Sequence, residues 1–495
     1  MKRTLMSIIL MCTLFTSILV PGNVYAKDIQ DDSNTSSSYA SIDNPDMNKV
    51  LTKAQVLEDI DFVLAKIKDK HVSSVESIPE EVLKQKEEEI SKLPENMTAL
   101  EEWRTISRII AKLHDAHTIM WNSDALDKRL PFNTYVDDNK FYCMDGDLKD
   151  YQVTAINGIS IDELYQTFKE HYSHEIDECC RGFFFDFRYN FIQERPIALA
   201  GIDTNNTLEV TFQKGDDIKV GKFDLVHIQF EDISYRPWIS YKIDEEHSVG
   251  IFTLDSCNYD DEFRQTVDKF FEEVAQNNIK NVIIDLRENL GGNSSVSMYV
   301  ASYIKKVEIM DYTYFPALDV RNGNEIIHYE SQKYTNEQIK PYMQPKNLFD
   351  GELFVTTSNI SFSAATMFAD FFQANHLAKI VGETPSNSLT AFTEIYNNFH
   401  RTPNSKIFFT VTSKKIYAVD PTKDQERLTP DIQVPQKDAI RTIYKIIKKN
   451  NHKEEKARQI ILPSLFDTYY NPNAFLRAST LSVFSQATSR SSLPI

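Results

Sequence analysis

An alternation of strand and helix signals after residue 248 constrains the fold of this chain more than any other feature. Apolar residues at 249–254 predict a strand, apolar residues at helical spacing over 263–274 predict an amphipathic helix, and residues 282–286 predict a second, fully buried strand. A strand, a helix and a strand in this order form a βαβ unit, whose two strands run parallel. The sequence therefore predicts an α/β core built on a parallel sheet.

A second turn of the same pattern carries Ser363 where a strand gives way to a helix. Residues 353–355 predict the strand, residues 364–372 have the apolar spacing of a helix, and residues 379–383 predict the next strand. A serine at a helix N-terminus can cap the helix with its hydroxyl. It can also be a nucleophile, because the N–H groups and the helix dipole at that point can stabilise an oxyanion. The local pattern leaves both interpretations open.

Two other junctions carry candidate functional residues. The buried strand at 282–286 runs into a turn that contains Gly291 and Gly292, and paired glycines let the backbone approach a ligand with its N–H groups. An ordinary turn is the alternative, and the spacing of a phosphate loop is absent. Earlier in the chain, His114 and His117 flank Asp115 where a helix ends, so they can serve the helix dipole or a site. No third metal ligand follows them at useful spacing.

The segments before the core predict two further regions. Residues 46–120 show three helical patterns, and the last opens with a capping box of Thr98 and Glu101. Residues 121–247 are rich in β signals, with an Asn157-Gly158 turn and a hairpin around residues 214–217. We assign residues 46–120 to a helical domain and residues 121–247 to a β-rich module.

The core is assigned to residues 248–450. Within it, residues 407–412 and 415–419 predict two strands of a hairpin, and residues 438–448 predict a closing helix. Residues 451–495 lose periodicity and are expected to be a poorly ordered tail.

The first residues have the pattern of an export signal. Lys2 and Arg3 precede an apolar run that is broken at Pro21, and residues 24–26 resemble a cleavage site, so residues 1–26 predict a secretory signal peptide. Residues 27–45 are polar and predict a flexible tether. An uncleaved membrane anchor is the alternative, but the apolar run is short for a bilayer. We expect a secreted protein without stable membrane insertion after signal cleavage.

The net charge excludes one class of partner. The whole chain has 54 basic and 72 acidic side chains and a net charge of −18, and removal of the signal deepens the negative charge. Such a chain repels the phosphate backbone, so we expect no nucleic-acid partner. The cysteines lack the spacing of a zinc site, and nothing else indicates a metal or cofactor.

Three motifs together resemble the C-terminal-processing (tail-specific) serine peptidase family. Residues 285–292 match its D-L-R-x-N-x-G-G turn, residues 361–365 with 380–383 match its nucleophile segment, and residues 429–432 match its closing x-P-D-I. Members with a Ser-Lys dyad have a lysine shortly after residue 383, but here residues 384–388 contain none. Residues 113–118 instead resemble the L-x-D-x-H-T motif of the tricorn-like branch, whose catalytic set is serine, histidine and glutamate.

The resemblance implies a fold and a set of roles. It implies a ClpP/crotonase-like βαβ core, with a PDZ-like character for the β-rich module, which contains the I-N-G segment of that domain. Ser363 would be the nucleophile and His117 the general base, since a serine hydroxyl without a lysine needs another base. Gly292 and Ala364 would donate N–H groups to the oxyanion. Glu426 would be the acid that orients the imidazole, with Asp424, Asp420 and Asp115 as alternates.

The functional hypothesis is a secreted serine endopeptidase that acts on proteins or peptides through an acyl-enzyme. A catalytically inactive peptide-binding or ligand-binding protein on the same fold is the alternative, motivated by the missing lysine and the loosely placed acid. Hydrolysis of non-peptide esters by the same residues is a third hypothesis. The sequence indicates neither the cleavage preference nor the oligomeric state.

Overall fold

A computed structural model describes the structure over residues 45–121, 125–185, 190–229, 237–306, 313–334, 347–394, 398–423 and 426–452. The predicted signal peptide, the tether up to residue 44 and the tail from residue 453 lie outside these residues. Contacts group the chain into two compact units, with the boundary in the sequence between Lys437 and Asp438.

Four of the described helices, α1, α3, α4 and α7 below, begin after a side chain that caps their N-terminus. Thr98 accepts a hydrogen bond from the Glu101 N–H, and the Glu101 side chain accepts one from the Thr98 N–H, so the predicted capping box is confirmed. The first unit contains α1 (Lys53–Lys70), α2 (Glu80–Lys92), α3 (Ala99–Ala111), α4 (Ile161–His171), α5 (Asp177–Phe185), α6 (Glu194–Leu199), α7 (Asp261–Gln276), α8 (Ser295–Ala301) and α9 (Ala364–Ala374). In the second unit, a helix covers residues 439–452.

The part of the chain before residue 248 combines short strands with these helices. Its strands are β1 (Val50–Thr52), β2 (Asn96–Thr98), β3 (Met120–Trp121), β4 (Lys128–Arg129), β5 (Thr134–Asp137), β6 (Lys140–Cys143), β7 (Gln152–Ile156), β8 (Ile159–Ser160), β9 (Leu208–Lys214), β10 (Asp217–Phe223), β11 (Val226–His227) and β12 (Ile239–Asp244). A sheet in the order β10-β9-β7-β6-β5, with β8 on β7, contains the predicted Asn157-Gly158 turn. One hydrophobic cluster joins this sheet to α1–α6, so the helical and β-rich segments share a core.

The part that follows residue 248 contains the parallel sheet that the alternating pattern predicts. Its strands are β13 (Val249–Leu254), β14 (Asn281–Asp285), β15 (Thr313–Phe315), β16 (Leu318–Asn322), β17 (Glu325–Tyr329), β18 (Gln332–Tyr334), β19 (Glu352–Thr357), β20 (Lys379–Gly382), β21 (Ala391–Thr393), β22 (Phe399–Arg401), β23 (Phe408–Thr410), β24 (Lys414–Ile416) and β25 (Ile432–Gln433). The central sheet has the order β12-β13-β14-β19-β20-β25, and its strands pair in parallel from β13 to β25. The fold is mixed α/β, and α7 and α9 connect the strands as the βαβ pattern requires.

The predicted hairpin over residues 407–412 and 415–419 is wrong. Strand β23 pairs with β22 and β3, whereas β24 pairs with β16 and β21 in another sheet. The chain between the two strands does not form a tight turn, because Thr412 donates its hydroxyl to Asp115. Two adjacent strand signals therefore mark a crossing from one sheet to another.

Among the described residues, no helix is both long and apolar enough to cross a bilayer.

Candidate active site

Ser363 lies between β19 and α9 with a backbone that an L-residue rarely adopts. Its φ is +53° and its ψ is −122°, and its hydroxyl makes no capping bond to α9 although it occupies the N-cap position. Such a conformation costs about 1 to 3 kcal/mol and persists only where the surrounding structure imposes it. The capping interpretation of Ser363 is therefore wrong, and the strained turn directs the hydroxyl elsewhere.

The hydroxyl of Ser363 points to His117, which is 246 residues away in the sequence. The distance between His117 Nε2 and Ser363 Oγ is 3.0 Å, and the two residues are only 3% and 7% exposed. Burial lowers the pKa of His117 to about 4, against the opposing charge of Asp115. The imidazole is therefore neutral near pH 7, which is the form that can accept the hydroxyl proton.

The loop that carries His117 is fixed by contacts on both sides. The Phe362 ring stacks on the imidazole with 4.7 Å between ring centroids, and Thr410 Oγ1 donates to the His117 carbonyl at 2.6 Å. Asp115 Oδ1 accepts the His117 backbone N–H at 2.8 Å. These contacts hold the imidazole in one place before any substrate binds.

Asp115 is a structural partner of this loop. Its Oδ2 accepts from Thr412 Oγ1 at 2.7 Å and lies 3.2 Å from His71 Nε2. Burial alone would raise the pKa of Asp115, but the hydrogen bond from His71 and the nearby imidazoles outweigh it and hold that pKa below its usual value. Asp115 is thus an ionised anchor whose oxygens are already engaged by the backbone, a hydroxyl and a second histidine.

The glycine turn after β14 packs directly against Ser363. Gly291 has a φ of +100°, and a Cβ there would lie 2.7 Å from both the Phe362 carbonyl oxygen and the Ser363 Cβ. Asn289 holds the turn by accepting the Gly291 N–H at 2.7 Å. The N–H groups of Gly292 and Ala364, which are the predicted oxyanion donors, make no hydrogen bond to any group in the described ranges. The structure thus brings the turn and the nucleophile segment together.

The predicted acid does not lie beside the histidine. Glu426 is exposed, and its backbone bonds to Leu389 and Lys423, while its side chain makes no hydrogen bond or ion pair to the part of the chain that the structure describes. Of the alternates, Asp420 accepts from Thr422 at a neighbouring turn, and Asp424 lies outside the described residues. The structure therefore does not bring the predicted acid Glu426 to His117, because Glu426 is exposed whereas His117 is buried.

Two residues at the site carry no motif and were missed. An oxygen of Glu175, an oxygen of Asp115 and a ring nitrogen of His117 all lie within 4.8 Å of one another. Asn387 accepts the Ser363 N–H with its side-chain oxygen. Asn387 stands in the segment 384–388, where a dyad enzyme would have its lysine, so that departure was its only sequence signal. Glu175 had no signal, because it is one carboxylate in a connecting segment.

The group of Asp115, His117 and Glu175 has the donor types of a cation site. However, His117 Nε2 faces Ser363, and the Asp115 oxygens accept three hydrogen bonds. A cation would have to displace these contacts. The arrangement therefore fits hydrogen-bonded positioning better than metal ligation.

A cavity opens beside Ser363 and His117. Its wall is mostly apolar and includes Met298, Phe315, Met367 and Leu389, and no lysine is among the described residues that line it. Asp370 is the one acidic side chain among the described residues of the wall, and its Oδ2 accepts the Val419 N–H at 2.9 Å. Burial raises the pKa of Asp370 to about 6. The cavity can accept a side chain next to the reacting serine.

Two structures of mature CPAF have a fold similar to this one. A crystal structure of mature CPAF superposes with a TM-score of 0.54 at 11% identity and covers 78% of this chain and 94% of that one. Mature CPAF complexed with lactacystin gives a TM-score of 0.54 at 12% identity and covers 80% of this chain and 97% of that one. The photosystem II D1 C-terminal processing protease matches with a TM-score of 0.41 at 12% identity, over 77% of this chain and 94% of that one.

Sequence comparison matches a known family to the core of the chain. No curated protein sequence matches the chain significantly. The model of peptidase family S41 matches residues 248–434, which contain the central parallel sheet, the glycine turn and Ser363. Residues 248–434 thus match peptidase family S41, and this match supports a serine-type peptidase.

Proposed function

We propose that the protein is a secreted serine endopeptidase that hydrolyses peptide bonds through an acyl-enzyme, with Ser363 as nucleophile and His117 as general base. The observation that carries the proposal is the 3.0 Å contact between His117 Nε2 and Ser363 Oγ. Two side chains so far apart in the sequence meet in a buried place, beside a cavity that can hold a substrate side chain. The alternative, an inactive binding protein, gives no reason for this contact.

The chemistry follows from the positions of these groups. Ser363 Oγ attacks the peptide carbonyl carbon while His117 Nε2 takes the hydroxyl proton, and the carbonyl oxygen becomes an oxyanion. The N–H groups of Gly292 and Ala364 stabilise that charge, and each such donor is worth about 100- to 1,000-fold in rate. His117 then gives the proton to the leaving amine. Water activated by the same imidazole hydrolyses the ester and restores the serine.

The rest of the chain gives the proposal its context. The central sheet with α7 and α9 forms a ClpP/crotonase-like core, and the sheet of β5–β10 is a PDZ-like module that can present a substrate chain to the site. Residues 1–26 direct export and are then removed. Sequencing the N-terminus of the protein from the culture medium tests export, and an intact N-terminus retained in cells would contradict it.

The catalytic proposal is tested by labelling and by turnover. A fluorophosphonate should label the wild type at Ser363, and peptide hydrolysis should fall at least 1,000-fold in Ser363→Ala and in His117→Ala. Ser91→Ala is the matched control, because Ser91 is an exposed serine on α2 whose hydroxyl only donates to the Glu88 carbonyl. Undiminished hydrolysis by Ser363→Ala would refute the assignment. Saturable peptide binding without turnover by the wild type would favour the binding protein.

A further inference from the structure

Glu175 is a buried carboxyl group whose position needs an explanation. It lies in the short connection between α4 and α5, and both of its oxygens are closed off from solvent. Within the described part of the chain, neither oxygen has a close hydrogen-bond partner. Burying an unsatisfied carboxyl group costs several kcal/mol, so such groups in native proteins tend to have a function.

The neighbours of Glu175 indicate what that function is. One of its oxygens lies within 4.8 Å of a ring nitrogen of His117. His117 Nε2 lies 3.0 Å from Ser363 Oγ, so Nδ1 is the ring nitrogen on the side of the imidazole away from the serine hydroxyl. Asp115 lies in the same group, but its oxygens hold the His117 backbone, His71 and Thr412. The Ala116 N–H and the Asn387 amide lie near the Glu175 carboxyl, and a small movement on substrate binding would bring this carboxyl to Nδ1.

We propose that Glu175, and not Glu426, is the positioning residue of the site, which accepts the Nδ1–H of His117 and stabilises the imidazolium that forms during catalysis. This inference rests on the proposed function. With its Nδ1–H directed to Glu175, the imidazole presents an unprotonated Nε2 to the serine hydroxyl, which is the tautomer that a general base needs. After proton transfer, the carboxylate faces a positive charge within the same buried space.

Asn387 connects this carboxyl group to the nucleophile. Its side-chain oxygen accepts the Ser363 N–H, and its amide lies beside Glu175 and favours the ionised carboxylate. In dyad enzymes of the family, the segment that corresponds to residues 384–388 carries the lysine. In this chain the same segment supports a histidine and a carboxylate. This gives the missing lysine a physical reason, since the base beside Ser363 is here a histidine that a buried carboxylate can orient.

The electrostatics of Glu175 lead to a pH signature. Burial and the charge of Asp115 raise the pKa of Glu175 to about 8, while the Ala116 N–H and Asn387 oppose the rise. Its other titratable neighbours, Tyr172, Cys179 and Cys180, are neutral because burial raises their pKa values. The Glu175 carboxyl must lose its proton before it can accept the Nδ1–H of His117. Activity should therefore rise with pH, and the midpoint of this rise should lie well above the pKa of His117 alone. Glu175 and His117 titrate jointly, so the midpoint of this rise reflects both groups.

The experiment compares Glu175→Gln, Glu175→Asp and Glu426→Gln in the full-length protein. We expect Glu175→Gln to lower kcat about 1,000- to 10,000-fold with little change in KM, because the amide favours the wrong tautomer. The acid limb of kcat/KM should disappear or move to lower pH in the residual activity. Glu175→Asp should recover part of the rate, and Glu426→Gln should resemble the wild type. Circular dichroism and the melting temperature show whether each variant is folded.

Several outcomes would overturn the inference. They are wild-type kcat in Glu175→Gln, an unchanged pH limb in that variant, or a collapse in Glu426→Gln alone. If Glu175→Gln does not fold, the pH dependence of Glu175→Asp tests the inference instead. The acid limb of that variant should shift while its KM stays constant. Loss of activity on chelation, restored by Zn²⁺, would instead make the three residues a metal site. The two proposals fail separately, since hydrolysis by Ser363→Ala contradicts the peptidase mechanism, whereas an active Glu175→Gln beside an inactive Ser363→Ala contradicts only the role of Glu175.

Discussion

Replacing Gly291 by alanine tests whether the glycine turn sets the position of the nucleophile. Gly291 has a φ of +100°, so a Cβ costs about 1 to 3 kcal/mol in backbone strain alone. The Cβ would also lie 2.7 Å from the Phe362 carbonyl oxygen and from the Ser363 Cβ, and 2.9 Å from the Ala364 nitrogen. Ordinary contact begins at 3.4 Å, so the turn must retreat from the serine by about 0.7 Å.

The size of the effect on activity follows from this displacement. A shift of about 1 Å in a reacting group can cost about 100-fold in rate, so 0.7 Å should lower kcat/KM by about 10- to 100-fold. The matched control is Gly323→Ala, in the turn between β16 and β17. That glycine also has a positive φ of +59°, but a Cβ there meets nothing within 4 Å. The control should lose about 1 to 2 kcal/mol of stability and no activity.

The assay is kcat/KM on a peptide substrate, with the melting temperature of each variant measured in parallel. Fluorophosphonate labelling of Gly291→Ala should slow in proportion to kcat/KM, because both reactions need the serine and the oxyanion donors in register. Equal activity of Gly291→Ala and Gly323→Ala would refute the reasoning. The reasoning would also fail if the loss of kcat/KM in Gly291→Ala disappeared once Gly291→Ala and Gly323→Ala were compared at the same folded fraction.

Two further predictions concern buried carboxyl groups. Peptides with an apolar side chain before the cleaved bond should be hydrolysed at least about tenfold better than those with glutamate, and the ratio should grow as pH rises through about 6, where Asp370 ionises. Asp370→Asn should remove that pH dependence, and an unchanged ratio in this variant would exclude Asp370 from the specificity cavity. In the helical region, burial raises the pKa of Glu102 from 4.5 to about 9, with a smaller contribution from Asp59 and an opposing hydrogen bond from Ser405. Between these two pH values the folded protein holds a proton that the unfolded chain has released, so stability falls as pH rises. Glu102→Gln should therefore raise stability at pH 7 by about 1 to 3 kcal/mol and flatten the dependence of the melting temperature on pH, and parallel curves for both proteins would contradict this.

The parts of the fold that were predicted correctly rest on local patterns. The strand–helix–strand alternation after residue 248 is visible in the chain itself, because a buried parallel strand is continuously apolar and its crossover helix has apolar residues on one face. The capping box at Thr98 and Glu101 needs only four residues. The predicted hairpin at 407–419 was wrong because two adjacent strand signals do not say which sheets they join. That choice depends on Thr412 and its contact with Asp115, almost 300 residues away.

The residues of the candidate site also divide into those that a local motif predicts and those that no local pattern predicts. Ser363, His117 and the glycine turn stand in motifs with fixed spacing, and the structure brings them together. The acid that we propose could not be predicted, because nothing in the local sequence distinguishes Glu175 from the other acidic residues. Its proximity to His117 arises only when the connection between α4 and α5 packs over the site. A carboxylate that acts through another side chain needs correct placement but no particular neighbours in the sequence.

Two hydrophobic clusters of the first unit explain why the strained serine keeps its place. Phe362 belongs to the cluster of the helices and the β-rich sheet, and it stacks on His117. Ala364, two residues later, belongs to the cluster around the central parallel sheet. Ser363 therefore spans the boundary with one neighbour fixed on each side, and its φ of +53° cannot relax without moving a buried residue. Since His117 stacks on a residue of the first cluster and Ala364 belongs to the second, the proposed catalytic geometry requires both clusters.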